Sequence, residues 1–197
     1  MEGGGIKLNF SITIPDRLAG LFIALALVYR QSRYGYAFRR IPLTQGKYAI
    51  VDPEDFERLN KHKWFAVKSE RTFYAGRTIA AGKKFISVRM HREILHTPGH
   101  LLVDHINHNG LDNRKANLRL ATCAQNTYNR RRFRKDKSSK YTGLSWRKDR
   151  KKWTVIICCK RKNIIVGYFE DESQAAKAYD EAAKKYHGEF ASLNFPE

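Results

Sequence analysis

Hydrophobic and polar positions change rhythm several times along the chain. Residues 18–29 (LAGLFIALALVY) are apolar without a break and lie between Arg17 and Arg30. Twelve residues fall short of the roughly 20 that a spanning helix needs. The preceding stretch holds Glu2 and Asp16 and has no basic start, so it makes a poor signal peptide. The expectation is a helix buried against the fold or resting on a surface. From Ile41 the rhythm turns strand-like, through residues 41–44 and 47–52. Asp52-Pro53-Glu54-Asp55 then starts a helix, with Pro near its first position and acids in its first turn, running to about Asn60. Residues 64–68, 73–79 and 83–88 read as strands of a small antiparallel sheet. Lys63, Trp64, Lys68, Arg71, Tyr74 and Arg77 alternate basic and aromatic along it, which suits a DNA-facing surface and ordinary edge strands equally. A short helix is expected over residues 90–96.

Residues 101–132 then set out a strand, a loop, a strand and a helix. The apolar run Leu101-Leu102-Val103 ends on Asp104-His105. Residues 107–116 are rich in the turn formers Asn, Asp and Gly. Asn117-Leu118-Arg119-Leu120-Ala121 alternates as a second strand. Thr122 is placed as a helix N-cap, with Gln125 completing a capping box.

Residues 141–197 carry three short strand patterns separated by basic turns, then a helix from Glu172 to about Tyr186 capped by Asp171. Ala175, Ala176, Tyr179, Ala182, Ala183 and Tyr186 form a stripe that would pack on the sheet. Period two assigns Leu144, Trp153, Val155, Ile157, Ile164 and Val166 to the buried face. Ser145, Arg147, Thr154, Ile156, Cys158 and Ile165 fall on the other.

Charge changes the picture. The chain of 197 residues has a formal net charge of +19. From Arg130 to Lys162 fifteen Lys or Arg face only Asp136 and Asp149. The default partner is a polyanion, and the block reads as a nucleic-acid footprint, an anionic membrane being the rival. Arg130, Arg131 and Arg132 open a basic linker that would track phosphates. Three cysteines without a C-x-x-C pair argue against a structural zinc site and a disulfide framework, and for a reducing, cytoplasmic compartment.

Candidate chemistry gathers where strand, loop and helix meet. Asp104 and His105 end the first strand, and Asn126 lies one turn into the helix that follows. A carboxylate and an amide oxygen are hard donors of the kind Mg²⁺ or Mn²⁺ takes. A neighbouring histidine is suited to take a proton from water. Together they are what phosphodiester hydrolysis needs.

The spacing is specific. Asp104-His105, eleven residues, Asn117, eight residues and Asn126 resembles the HNH endonuclease motif in its Asp-His/Asn/Asn form. Met90-His91-Arg92 and Asn117-Leu118-Arg119 are similar to that family too, so the resemblance covers roughly residues 85–132. It implies His105 as general base, Asp104 and Asn126 as metal ligands, and Asn117 pinning the loop and orienting His105. The metal would bind the scissile phosphate and the leaving 3′ oxygen. His91 reads as a packed, hydrogen-bonded histidine. His108 stands close enough in sequence to Asp104 to keep a role at the metal or a phosphate open.

Tyr141-x-Gly143-Leu144, Trp153, Val166-Gly167-x-Phe169, Tyr179-Asp180-x-Ala182-Ala183 and Leu193-Asn194-Phe195-Pro196 resemble the AP2/ERF DNA-binding domain over nearly the whole C-terminal segment. That resemblance implies a sheet face set in the major groove, with Arg147, Lys148, Arg150, Lys152 and Asn163 as contacts. Ser145, Ile156, Cys158 and Ile165 depart from residues that members often carry there, which favours backbone positioning over base readout.

The expected whole is an α+β chain: a ββα-metal HNH nuclease domain followed by a small three-stranded antiparallel sheet plus one helix. The divisions are 1–40 (N-terminal extension), 41–132 (nuclease), 133–140 (basic linker) and 141–197 (AP2/ERF-like). The expected function is a metal-dependent DNA endonuclease of the homing-endonuclease type. It acts on double-stranded DNA as monomer or homodimer, with no small-molecule substrate and no membrane partner. The alternative is a non-catalytic DNA-binding or regulatory protein with a relic HNH domain.

Overall fold

A computed structural model describes residues 16–82, 84–130 and 138–196. Helices combine with sheets whose strands all pair antiparallel, which makes this an α+β chain. Helix α1 (Asp16–Tyr34) contains the apolar run and extends five residues past it. Leu18, Leu21, Phe22, Leu25, Val28 and Tyr29 are exposed, so α1 rests on the surface and is not buried against the fold. No helix among the described residues is long and apolar enough to cross a membrane.

Strands β1 (Arg39–Pro42) and β2 (Tyr48–Val51) form a hairpin, and α2 (Pro53–Asn60) follows with Pro53 in its first turn. Asp52 caps α2 by backbone geometry only. Its carboxylate instead accepts the Lys115 backbone N–H at 2.7 Å, tying the helix start to the loop that precedes Asn117. Strands β3 (Phe65–Lys68), β4 (Phe73–Ala81) and β5 (Lys84–Arg89) pair in that order. Helix α3 (Met90–Ile94) turns the chain toward β6 (Leu102–His105). β6 pairs antiparallel with β7 (Leu118–Ala121), His105 opposite Leu118. Helix α4 (Cys123–Tyr128) starts at the expected box: Gln125 N–H donates to Thr122 Oγ1, and Thr122 N–H donates to Gln125 Oε1. One core joins β1 to β4, α2, α3, β6 and β7, centred on Ile41, Val51, Leu59 and Met90, each under 2% exposed. Each such side chain stabilises the fold by about 1.5–3 kcal/mol.

Strands β8 (Leu144–Arg147), β9 (Lys152–Cys159) and β10 (Lys162–Phe169) form a second sheet in the order β10-β9-β8. Helix α5 (Glu172–His187) packs on it through Ala175, Ala176, Tyr179, Ala182 and Ala183, in a core separate from the first. Two assignments from period two change. Val166 is 36% exposed, because a bulge between Ile165 and Gly167 breaks the alternation; Ile164 and Phe169 pack inward. Thr154, expected on the open face, is 3% exposed.

Gly143 sits at φ +82, and a Cβ there would stand 2.0 Å from the Tyr179 ring. Both the conformation and the space demand glycine. Gly143→Ala should therefore lower the thermal midpoint by more than about 5 °C. An unchanged midpoint would contradict the packing of α5 on this turn.

Candidate active site

The loop between β6 and β7 is held from three sides. Ile50 N–H donates to Leu111 O and Asn113 N–H donates to Ile50 O, both at 2.8 Å, strapping the loop to β2. Gly110 lies so close to Phe73 O and the Tyr74 ring that a Cβ would stand 2.6 Å from each. Within the loop, Asn109 N–H donates to Asn107 Oδ1 and Leu111 N–H to Asn109 Oδ1, two consecutive Asx turns. Asp112 is gripped by both arms of Arg114, at 2.7 and 2.6 Å, and by Asn107 Nδ2 at 2.9 Å. Asn117 closes the loop. Its Oδ1 accepts from Asn107 N–H at 3.0 Å, and its Nδ2 donates to Asp112 O at 2.8 Å.

Asp104 and His105 emerge from β6 beside this loop, 5% and 6% exposed. Asp104 accepts from Arg119 Nε at 2.8 Å across the β6–β7 pair. Asn129 Nδ2 reaches both its oxygens, at 2.9 and 3.0 Å, and the His105 carbonyl at 3.2 Å. The carboxylate is thereby fixed in orientation: Oδ2 is taken up by Asn129 and Arg119, while Oδ1, bonded to Asn129 alone, keeps a lone pair for another partner. Asp104, His105, Asn126, Asn129, Tyr74, His108, Arg71 and Arg130 share the wall of one open cavity of about 540 Å³. It is wide enough for a backbone phosphate and its hydration.

The His105 ring packs edge-on against His91, with centroids 5.0 Å apart, and tilted against Tyr74 at 5.6 Å. Burial lowers its pKa to about 4; Asn113, Asp104 and Asp112 pull the other way. Asn113 favours the protonated ring by proximity, but no hydrogen bond closes: His105 Nε2 and both Asn113 side-chain polar atoms lack partners. His91, 8% exposed, is pushed to about 3 by burial and by His105, Arg89 and Arg92. It is packed as expected, yet its Nδ1 has no hydrogen-bond partner.

Both imidazoles are thus held neutral, with folded pKa values below the unfolded value near 6.5. Their contribution is fully present above pH 6.5. It is lost as pH falls toward 4 and then 3, because the unfolded chain takes up protons first. Thermal midpoints should drop across that window, and His91→Gln should flatten the slope. A midpoint independent of pH from 6.5 to 4 in wild type would contradict this burial.

Other expected contacts lie apart. Arg147, Lys148, Arg150 and Lys152 cluster at the β8–β9 turn, where Arg147 pairs with Asp149 at 3.0 Å and Lys152 with Glu170 at 3.3 Å. Asn163 opposes Cys158 at the other end of the sheet and lines a smaller cavity with Tyr128 and Arg130. Arg130 itself reaches Glu70 at 3.0 Å. Arg131 and Arg132 lie outside the described residues, as do residues 133–137 of the expected linker. The C-terminal unit docks on α4 and β7. Tyr128 stacks on His187 with centroids 4.0 Å apart, and Arg119 lies over Phe190 at 3.9 Å while donating to Glu189 O. Arg119 therefore touches both Asp104 and the second unit.

Asn129, Asp112 and Asn113 were not singled out from the sequence, and Arg119 was named only within Asn117-Leu118-Arg119, with no role given. Asn129 carried one usable signal, being three residues past Asn126 on the same helical face. Among the described residues no group of three or more His, Cys, Asp and Glu converges. The expected donor set, one carboxylate and one amide, is of a different kind.

Comparison with known proteins covers both units of the chain. The family described as HNH endonuclease matches residues 96–128. An uncharacterised HNH endonuclease of Acanthamoeba polyphaga mimivirus is 33% identical over 159 residues, 76% of this chain and 76% of the relative. An AP2-like ethylene-responsive transcription factor of Arabidopsis thaliana is 37% identical over 65 residues, 33% of this chain and 13% of that protein. No solved structure matches significantly.

Proposed function

The chain belongs to the HNH endonuclease family, and from that premise we propose that it hydrolyses phosphodiester bonds of double-stranded DNA in the cavity beside β6 and α4. The observation that carries the reading is the convergence of Asp104, His105 and Asn126 on one open wall. His105 would take the proton of the attacking water. Its low basicity in the free protein rises when a phosphate brings negative charge beside it. Asn117 would keep the loop, and so the His105 backbone, in register. Asn129 and Arg119 would hold the Asp104 carboxylate in one orientation.

Two oxygen donors on an open wall fit a hard cation that keeps several waters. Asp104 and Asn126 would hold Mg²⁺ or Mn²⁺, which when bound supplies Lewis-acid stabilisation of the leaving 3′ oxygen. A single site of this kind cuts one strand at a time. The cluster Arg147, Lys148, Arg150 and Lys152 would grip backbone phosphates, and the docking of α5 on Tyr128 would set its angle to the cavity. The two separate cores support a division into a nuclease unit near residues 41–132 and a DNA-binding unit near 141–197.

Product chemistry tests the reaction. Nicks made with Mg²⁺ or Mn²⁺ should be resealed by DNA ligase, which requires a 3′-hydroxyl and a 5′-phosphate. Nicks that ligase leaves open, or nicking in EDTA, would contradict it.

A further inference from the structure

β4 pairs with β3 only from Phe73 to Gly76, and beyond that point it pairs with β5 alone. A two-stranded ribbon therefore leaves the body at Arg77 and Val88. Its base is pinned: Arg77 Nε donates to Glu93 Oε2 at 3.0 Å, and its guanidinium lies 5.5 Å from the Trp64 ring centroid. Its outer part is open on both faces. Phe85 is 79% exposed and Ile86 49%. A two-stranded ribbon with a bare aromatic is marginal alone, and an open edge invites pairing unless charge blunts it.

The sequence of the ribbon says what covers it. Between Arg71 and Arg92 there is no acidic residue, while Arg77, Lys83, Lys84 and Arg89 are basic. The tip is slim, with Ala80 opposite Phe85 and Ala81 opposite Lys84. A slim basic ribbon fits the major groove of B-DNA, which admits two paired strands. The same strand starts at the catalytic cavity, whose wall includes Tyr74. Six residues of strand separate Tyr74 from Ala80, or about 20 Å.

We infer that the β4–β5 ribbon is a second DNA-binding site, an arm laid in the groove about six base pairs from the bond to be cut, with Phe85 packed on base edges and Lys84 on a phosphate. The inference rests on the reading of the chain as a DNA endonuclease and adds a specific contact to it. An apolar contact and a phosphate contact leave different signatures. Only the phosphate contact releases counterions, so only it changes the salt dependence of binding.

The test is binding of the full chain to a fluorescein-labelled 40-base-pair duplex of mixed sequence, read by anisotropy in EDTA across a salt series. Phe85→Ala should weaken binding about tenfold with the salt slope unchanged. Lys84→Ala should reduce the slope by about one. Both positions are exposed, so both variants should keep the wild-type thermal midpoint. The inference is overturned if Phe85→Ala binds within twofold of wild type at every salt. It is equally overturned if that substitution changes the mass of the free chain by light scattering and leaves DNA affinity alone, which would make a second copy the partner. Because binding is read without metal, failure to nick plasmid in Mg²⁺ would count against the nuclease reading and leave these outcomes as they are.

Discussion

His105→Ala should slow DNA nicking by about 10²–10⁴-fold, the usual loss when a positioned base is removed. Of the other histidines, His91 packs edge-on against the His105 ring, and its pKa near 3 leaves it a weaker base. It does not line the cavity with Asp104 and Asn126. Alanine also leaves a hole between His91 and Tyr74, so a fall in rate has two possible sources. His105→Gln separates them, because it fills most of the space without supplying the base. Both variants should nick at the reduced rate and bind duplex in EDTA within about threefold of wild type, since phosphate contacts dominate affinity. Initial rates of supercoiled plasmid loss measure the effect. Wild-type rates in His105→Gln would end the assignment of the base.

Asp104→Asn should lower activity by a different route, raising the metal needed, and cost stability as well. The substitution keeps the shape but removes the charge that Arg119 and Asn129 both address. Arg119 is about 15% exposed in its side chain and Asp104 about 7%, so the pair is largely withdrawn from water. Leaving a buried guanidinium without its carboxylate destabilises by about 3 kcal/mol. Only part of that is recovered by the amide oxygen and by Glu189 O, which Arg119 also reaches. The metal requirement should rise in parallel, because a neutral amide is a far weaker ligand than a carboxylate. The observable pair is a lowered thermal midpoint and a nicking rate that climbs only at high Mg²⁺ or Mn²⁺. Asn126→Ala, half-buried on a helix with no buried residue and no buried ion pair, should show the second effect without the first. Equal thermal midpoints in wild type and Asp104→Asn would contradict the role given to Arg119.

Much of the site was legible because its signals are local. Thr122 and Gln125 announce the start of α4, and the Asx-rich run announces the loop. The resemblance alone pointed to Asn117 as a loop pin; its amide accepts from one backbone N–H and donates to one backbone carbonyl of the loop. What was not legible depends on contacts far apart in the chain. The grip of Asn129 on Asp104 spans 25 residues, and the strap from Ile50 to the loop at Leu111 and Asn113 spans about 60. Asn129 reads simply as the end of a helix until β6 is placed beside it. In the second sheet, alternation failed at Val166 because one bulged residue moves every later side chain to the other face. The AP2/ERF resemblance grouped Asn163 with Arg147, and β9 places them at opposite ends. For α1 the sequence left burial and a surface position both open, and the structure takes the second. An apolar run states that a surface prefers to be covered, and says nothing about whether this chain covers it.

The most direct measurement is conversion of supercoiled plasmid by the purified wild-type chain at low salt, with Mg²⁺, with Mn²⁺ and with EDTA. The account predicts open-circular product with at least one ion, none in EDTA, and linear product appearing only after open circles accumulate. Plasmid left supercoiled with both ions would contradict it.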